Sequence, residues 1–274
     1  MIEQGVEHKN YGMPPLRELG ADLARISPLR RVVSLVGPFL WCGAYFAFAV
    51  RGWWPPAVFC LVALSFFTYG SISHDLVHRN LALPSAVNDA LLCLIELLAL
   101  RSGHAYRAAH LHHHAHFPHA DDIEASAARM SLVGALAQGI VFQPRLMFWA
   151  LRHAKHARSW IICEVIACLV LVTIAASLAG SSSAFPMYAL LMIMGSWIIP
   201  LVTSYVPHDP TGTDELTQTR AFRGLVASAI ALEHLYHLEH HLYPSVPHHN
   251  WARLARRLDP HLERAGVRPI RIWF

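Results

Sequence analysis

Charge is what this sequence has least of. Asp, Glu, Lys and Arg make up 15% of its 274 residues, against 54% hydrophobic, whereas soluble domains carry roughly a quarter charged residues. Paired cysteines are missing too. Cys42, Cys60, Cys93, Cys163 and Cys168 all sit in apolar segments with no paired spacing, which argues against a disulfide framework or a thiolate metal site. No basic run exceeds a pair, and the net charge of +4 requires no nucleic acid; a membrane-surface role for the arginines is the simpler account. The first 31 residues are polar and charged, so no cleavable signal peptide is expected and the first apolar run is expected to stay as a helix. Internal repeats beyond a doubled hairpin, and low-complexity segments, are absent.

What the chain does have is long apolar runs. Four approach the ~20 residues that an α-helix needs to cross a bilayer: 32–50, 57–73, 160–179 and 185–206. The first two are joined by "RGWWPP" and the last two by "GSSSA", so they read as two transmembrane hairpins. Residues 87–100 and 132–142 are apolar but too short or too interrupted to span, and read as helices lying in or re-entering from the interface. The expected fold is an all-α integral membrane protein of one domain. Its parts are an N-terminal arm (1–31), a first hairpin (32–73), a central segment (74–159), a second hairpin (160–206) and a C-terminal segment (207–274). Of the 22 Lys and Arg, only Arg51 falls in an outer loop, leaving 21 on the other side; positive-inside bias then puts both termini and the centre in the cytoplasm. Trp53, Trp54 and Trp160 fall near the expected interfaces, as aromatic belts do.

The 20 histidines avoid the interiors of these spans. They gather as "HDLVH" (74–78), "HLHHHAH" (110–116) and "HLYHLEHH" (234–241), with His208 in "YVPHDP" at the mouth of the fourth span. On a helix, positions i, i+3 and i+4 share a face. His74 and His78 can therefore reach one metal. His110, His113 and His114 share a face, with His112 and His116 on the far side and Pro118 ending the helix before His119. His237, His240 and His241 repeat the triad, although spacing alone leaves His234 eligible as well. His248 and His249 come after Pro244 and Pro247 and read as bystanders. Neutral imidazole binds Fe, Zn, Cu and Ni alike, but two triads, one pair and His208 exceed what one ion needs and suffice for two.

These stretches, with "HLHHH" read as H-x-x-H-H and "HLEHHLYPSVP" over 237–247, resemble the three histidine boxes of the membrane fatty acid desaturase and hydroxylase superfamily, over roughly residues 30–260. The resemblance implies a cytoplasmic helical cap holding a non-haem di-iron centre fed by O2 and two electrons. Matched box by box, the ligands are His74 and His78; His110, His113 and His114; His237, His240 and His241; with His208 the candidate for a further ligand. Reading both triads as H-x-x-H-H sets His234 aside. Asp75 and Glu239 become the carboxylates that orient ligating imidazoles. Asp121 and Asp122, in "HADDIE" (119–124), either hold a histidine or a water or cap the next helix.

Chemistry agrees with that reading. An unactivated methylene C–H bond is out of reach of side-chain acids and bases, so a metal cofactor must carry the step. Two successive hydrogen abstractions give a double bond, and hydroxyl rebound gives an alcohol. A fatty acyl group is the expected substrate; a carotenoid ring is the alternative, since the short chain and "YVPHDP" also resemble bacterial carotenoid ketolases and hydroxylases. The sequence shows no cytochrome b5-type haem segment and no ferredoxin cysteine set, so a separate donor of either kind is expected, with Arg253, Arg256 and Arg257 as a docking face. The site is expected on the cytoplasmic side of a bacterial-type inner membrane. A membrane metal transporter, the reading from another class, would need ligands deep in the spans, where only Glu164 stands.

Overall fold

The computed structural model describes residues 12–224 and 235–272; His234 lies outside them. The chain is all-α. Helices α1 (Leu16–Leu19), α2 (Pro28–Ala49), α3 (Trp54–Phe67), α4 (His74–Val77), α5 (Ser85–Leu98), α6 (Gly103–His116), α7 (Leu132–His153), α8 (Arg158–Ser177) and α9 (Ala184–Gly195) are succeeded by α10 (Glu215–Gln218), α11 (His237–Leu242) and α12 (Trp251–Arg264). Among the described residues, strand pairing beyond a single isolated bridge is confined to β1 (Phe222–Arg223) and β2 (Ile270–Arg271), joined in parallel.

Four helical rods are long and apolar enough to cross a membrane: Ala21–Ala49, Trp54–Val77, Lys155–Gly180 and Ala184–Tyr205. They fall on the four expected runs and pair as two hairpins. Ser27 starts α2 by accepting a hydrogen bond from the Arg30 N–H at 3.3 Å, with Pro28 at the first helical position where its missing donor costs nothing. The turn between the first two rods passes through Gly52 at φ +74°, a left-handed conformation that favours glycine. The second rod is 71% buried and the other three only 17–33%. It is the inner wall of the bundle, and the others present their side chains outward.

That inner rod does not stop at Ser73. It runs on through a π-helical turn, Thr68–Ser73, into α4, which carries His74. A second π-helical turn, Leu201–Tyr205, ends shortly before His208. Such turns insert about one extra residue and rotate the downstream residues by about 100°, and they concentrate at functional sites.

Of the two shorter apolar segments, 87–100 appears as α5. The other is longer than expected, because α7 continues through Gln143, Pro144 and Arg145 for 22 residues. Pro144 removes a single backbone donor, while Phe142, Leu146 and Ala150 bury themselves in the main core with Leu76, Leu92, Ile95 and Ile161. That burial holds the helix together across the proline. Gly139 sets how closely α7 approaches residues 196–198: a Cβ there would stand 1.8 Å from the Trp197 carbonyl oxygen. Because that neighbour is backbone, Gly139→Ala is expected to destabilise the fold by about 3 kcal/mol or more, read as a lower unfolding midpoint in detergent; an unchanged midpoint would refute this contact.

The C-terminal segment forms a cap with its own core of Leu238, Leu242, Val246, Trp251, Leu254 and Leu258, into which Leu19 and Leu23 of the N-terminal arm pack. Asn250 Nδ2 donates to the Leu23 and Arg25 carbonyls at 2.9 and 2.8 Å, and the Tyr243 hydroxyl donates to the Pro14 carbonyl at 2.7 Å. Arg253 and Arg257 both grip Asp22. Two of the three arginines expected to form a docking face are therefore already paired within the chain, and the third, Arg256, is exposed.

Candidate metal centre

Nine histidines converge where α4, α6, α11 and the mouth of the fourth rod meet, and they divide into two groups. His74, His78, His110, His114 and His240 form one; His113, His208, His237 and His241 form the other. Each triad is split. On α6, His110 and His114 lie one turn apart and join the first group, while His113 joins the second. On α11 the roles reverse, with His237 and His241 in the second group and His240 in the first.

Within the first group the Nε2 atoms stand close: 3.0 Å from His74 to His240, 3.1 Å from His110 to His74, 3.1 Å from His114 to His110 and 2.7 Å from His240 to His114. In the second the distances are 3.2 Å (His113–His241), 3.3 Å (His208–His241), 3.1 Å (His237–His208) and 3.1 Å (His241–His237). Nδ1 of His110 lies 3.0 Å from a Glu124 oxygen, Nδ1 of His113 lies 2.7 Å from Asp122 Oδ2, and Nδ1 of His208 lies 3.0 Å from the Ser204 carbonyl. These partners are acceptors, so each Nδ1 carries the proton and each Nε2 presents a lone pair. A cation at the centre of each group would draw these lone pairs and the crowded neighbouring nitrogens onto itself. With metal–imidazole bonds of about 2.1 Å, ligands at right angles stand about 3.0 Å apart and tetrahedral ones about 3.4 Å. The residues present therefore fit two metal ions, one at each group.

Burial completes the preparation. Removal from water, and after it the neighbouring imidazoles, holds His78, His114, His208, His237, His240 and His241 well below the usual imidazole pKa, which keeps them neutral as ligands must be. His113 shifts the other way: burial opposes a charge there, but the Asp122 hydrogen bond and charge override it. Burial likewise works against the Asp122 carboxylate, yet His113 and the backbone amides bring it down to about 2. Trp251, fully buried, closes the cap side with its ring 5.2 Å from His74 and 5.0 Å from His240.

Two of the carboxylates expected to support the imidazoles point elsewhere, whereas Asp122 takes both of the roles open to it. Asp75 turns from the cluster and holds His248, accepting from its backbone N–H at 3.0 Å and pairing with its Nδ1 at 2.7 Å. Glu239 pairs with Arg223, which also binds Asp259, and burial pushes the Glu239 carboxyl up. Both corrections arise from helix geometry, since a residue next to a facing position lies about 100° around the helix. The orienting acids are Asp122, which also caps the next turn through Glu124 N–H and Ala125 N–H at 3.0 Å each, and Glu124. Glu124 lies within the acidic stretch "HADDIE", but no periodicity distinguishes it there. His248 is no bystander, because it anchors the cap to α4. His249 reaches Ser34 on α2, Nε2 to Oγ at 2.7 Å.

Glu164, the acid within the third span, fastens the helix that carries the second box. It accepts from Ser102 Oγ at 2.6 Å and from the His104 N–H at 3.2 Å, and pairs with His104 Nδ1 at 2.7 Å. Ser102 in turn caps α6 by accepting from Ala105 N–H at 3.1 Å.

An apolar cavity of about 370 Å³ opens between α3 and α9, walled by Val58, Val62, Leu191 and Met194. Its inner end is lined by Tyr69 and Thr203, one from each π-helical turn. The same two residues border a cleft of about 20 Å³ lined by His74, His110, His113 and His237.

The sequence profile of the fatty acid desaturase family matches residues 51–273. No curated protein matches the chain.

Proposed function

The chain belongs to the fatty acid desaturase family, and on that premise we propose that it is an O2-dependent, non-haem di-iron oxidoreductase that desaturates or hydroxylates a lipid hydrocarbon chain, foremost a fatty acyl group. His74, His78, His110, His114 and His240 hold one iron, and His113, His208, His237 and His241 the other. The observation that carries this reading is the pair of imidazole groups whose ring nitrogens crowd within a few ångströms of one another. Bound there, iron supplies the O2 activation and C–H abstraction that no side-chain acid or base can perform.

The protein's own part is orientation and exclusion. Asp122 and Glu124 fix the protonated edges of His113 and His110, and Trp251 with the cap core keeps bulk water off the first group. The apolar cavity has the size of a small-ligand site and offers a lipid chain a path from between α3 and α9, past Tyr69 and Thr203, to the histidines. For desaturation the balance is one –CH2–CH2– unit, O2, two electrons and two protons giving –CH=CH– and two waters. The electrons come from a separate ferredoxin- or cytochrome b5-like protein. On the positive-inside bias, the metal site and both termini face the cytoplasm of a bacterial-type inner membrane.

Expression in a lipid-profiled host, with and without a carotenoid pathway, tests reaction and substrate together. Loss of two hydrogens or gain of one oxygen on acyl chains is the expected result; a change confined to carotenoids would transfer the reaction to a ring substrate. Purified protein is expected to hold about two iron ions per chain. Stoichiometric zinc in protein produced with ample iron would count against an oxygenase.

A further inference from the structure

Three residues outside the nine form a second kind of site. His112 and His116 lie one turn apart on the face of α6 turned away from the two groups, their rings stacked at 3.8 Å between centroids and 19° between planes. Asp121 comes back over them from the loop beyond the helix. One ligand atom from each of the three lies within 4.8 Å of the others. Nδ1 of His116 lies 2.9 Å from the His112 carbonyl oxygen, so its proton is engaged there and its Nε2 keeps a lone pair. Nε2 of His112 is buried and makes no hydrogen bond, with Asp121 Oδ2 3.6 Å away. Trp149 walls the far side of His112, ring to ring at 4.8 Å.

We propose that His112, His116 and Asp121 form a peripheral site for one borderline divalent cation, of which Zn2+ is the working example. Two imidazoles and one carboxylate suit Zn2+, Ni2+ or Cu2+ rather than Mg2+ or Ca2+, which take all-oxygen shells. A histidine pair at i and i+4 presents both rings to one ion on an unstrained helix. Asp121, at 61% side-chain exposure, has the freedom to close onto it, and water completes the shell. The site is independent of the proposed reaction, since none of its members belongs to the nine. Occupancy ties the end of α6 to the loop beside Asp122, which holds His113, so the cation fastens the scaffold of the second group from outside.

The test uses the full-length, iron-loaded protein in detergent or lipid nanodiscs, equilibrated with Zn2+, with both metals counted per chain. About one zinc beyond the iron is expected, with the iron content unchanged. His116→Asn and Asp121→Asn should each weaken zinc binding by about tenfold or more at constant iron content. Asp121 is exposed, so its variant keeps the test valid if the helix variant misfolds. Zinc that replaces iron ion for ion, no zinc retained beyond the iron, or variants that bind zinc like the parent would each overturn the site.

Discussion

Replacing His113 or His240 with alanine is expected to abolish turnover, with a loss well beyond the roughly 100-fold seen when only a supporting group of a metal ligand is removed. The two substitutions act on different groups. His240→Ala takes from the five-histidine group the imidazole whose Nε2 stands 3.0 Å from His74 and 2.7 Å from His114. His113→Ala takes one of four donors from the other group and leaves the low-pKa carboxylate of Asp122 without its partner. A buried carboxylate that loses its imidazole partner and keeps only backbone N–H donors is costly, so His113→Ala should also lower the thermal midpoint more than His240→Ala. Leu111→Ala, on the same helix but exposed, should keep most of the activity. Turnover and iron per chain, measured together, check the pair; a Leu111 variant as damaged as His113→Ala would mean that the facing surface of α6 is wrongly assigned.

Filling the membrane-side cavity should be nearly as damaging, and selectively so. Gly195 lines the cavity, and a Cβ built there meets nothing closer than Ser65 Oγ at 4.0 Å. Gly195→Phe can therefore place a ring in the space proposed for the hydrocarbon without moving backbone, unlike Gly139, where the Trp197 carbonyl blocks any side chain. Each methylene lost from an apolar site costs about 10-fold or more in discrimination, so turnover of long chains should fall by about 100-fold. Iron content and unfolding midpoint should match the parent protein. Unaltered turnover would show that the substrate reaches the histidines by another route.

Much of the fold was legible because its signals are local. Four apolar runs of spanning length, joined by short polar links, specify two hairpins whatever surrounds them. The histidine faces of α6 and α11 were legible for a similar reason, since a 3.6-residue period is a property of the backbone alone. His208, marked by its place at the mouth of the fourth span and by the resemblance, sits among its expected partners. Two of the supporting acids were misread, while Asp122 holds His113 and caps the next turn, the two roles open to it. Asp75 and Glu239 are the nearest carboxylates along the chain, but their helices aim them at His248 and Arg223. Glu124 reaches His110 from 14 positions away within the acidic stretch "HADDIE", where no helical period singles it out. The apolar run was followed only to residue 142, whereas the burial of Phe142 and Leu146 that carries the helix on across Pro144 depends on other segments.

The sequence by itself therefore determined the membrane character, the hairpins, the histidine clusters and the helical face each clustered histidine occupies. Tertiary structure alone decided how the triads divide between two groups, which acids hold the imidazoles and where the apolar cavity meets them. Those outcomes depend on the crossing of helices distant in the chain and on two π-helical turns that set the rotation of His74 and His208. No periodicity within one segment encodes the angle at which it meets another.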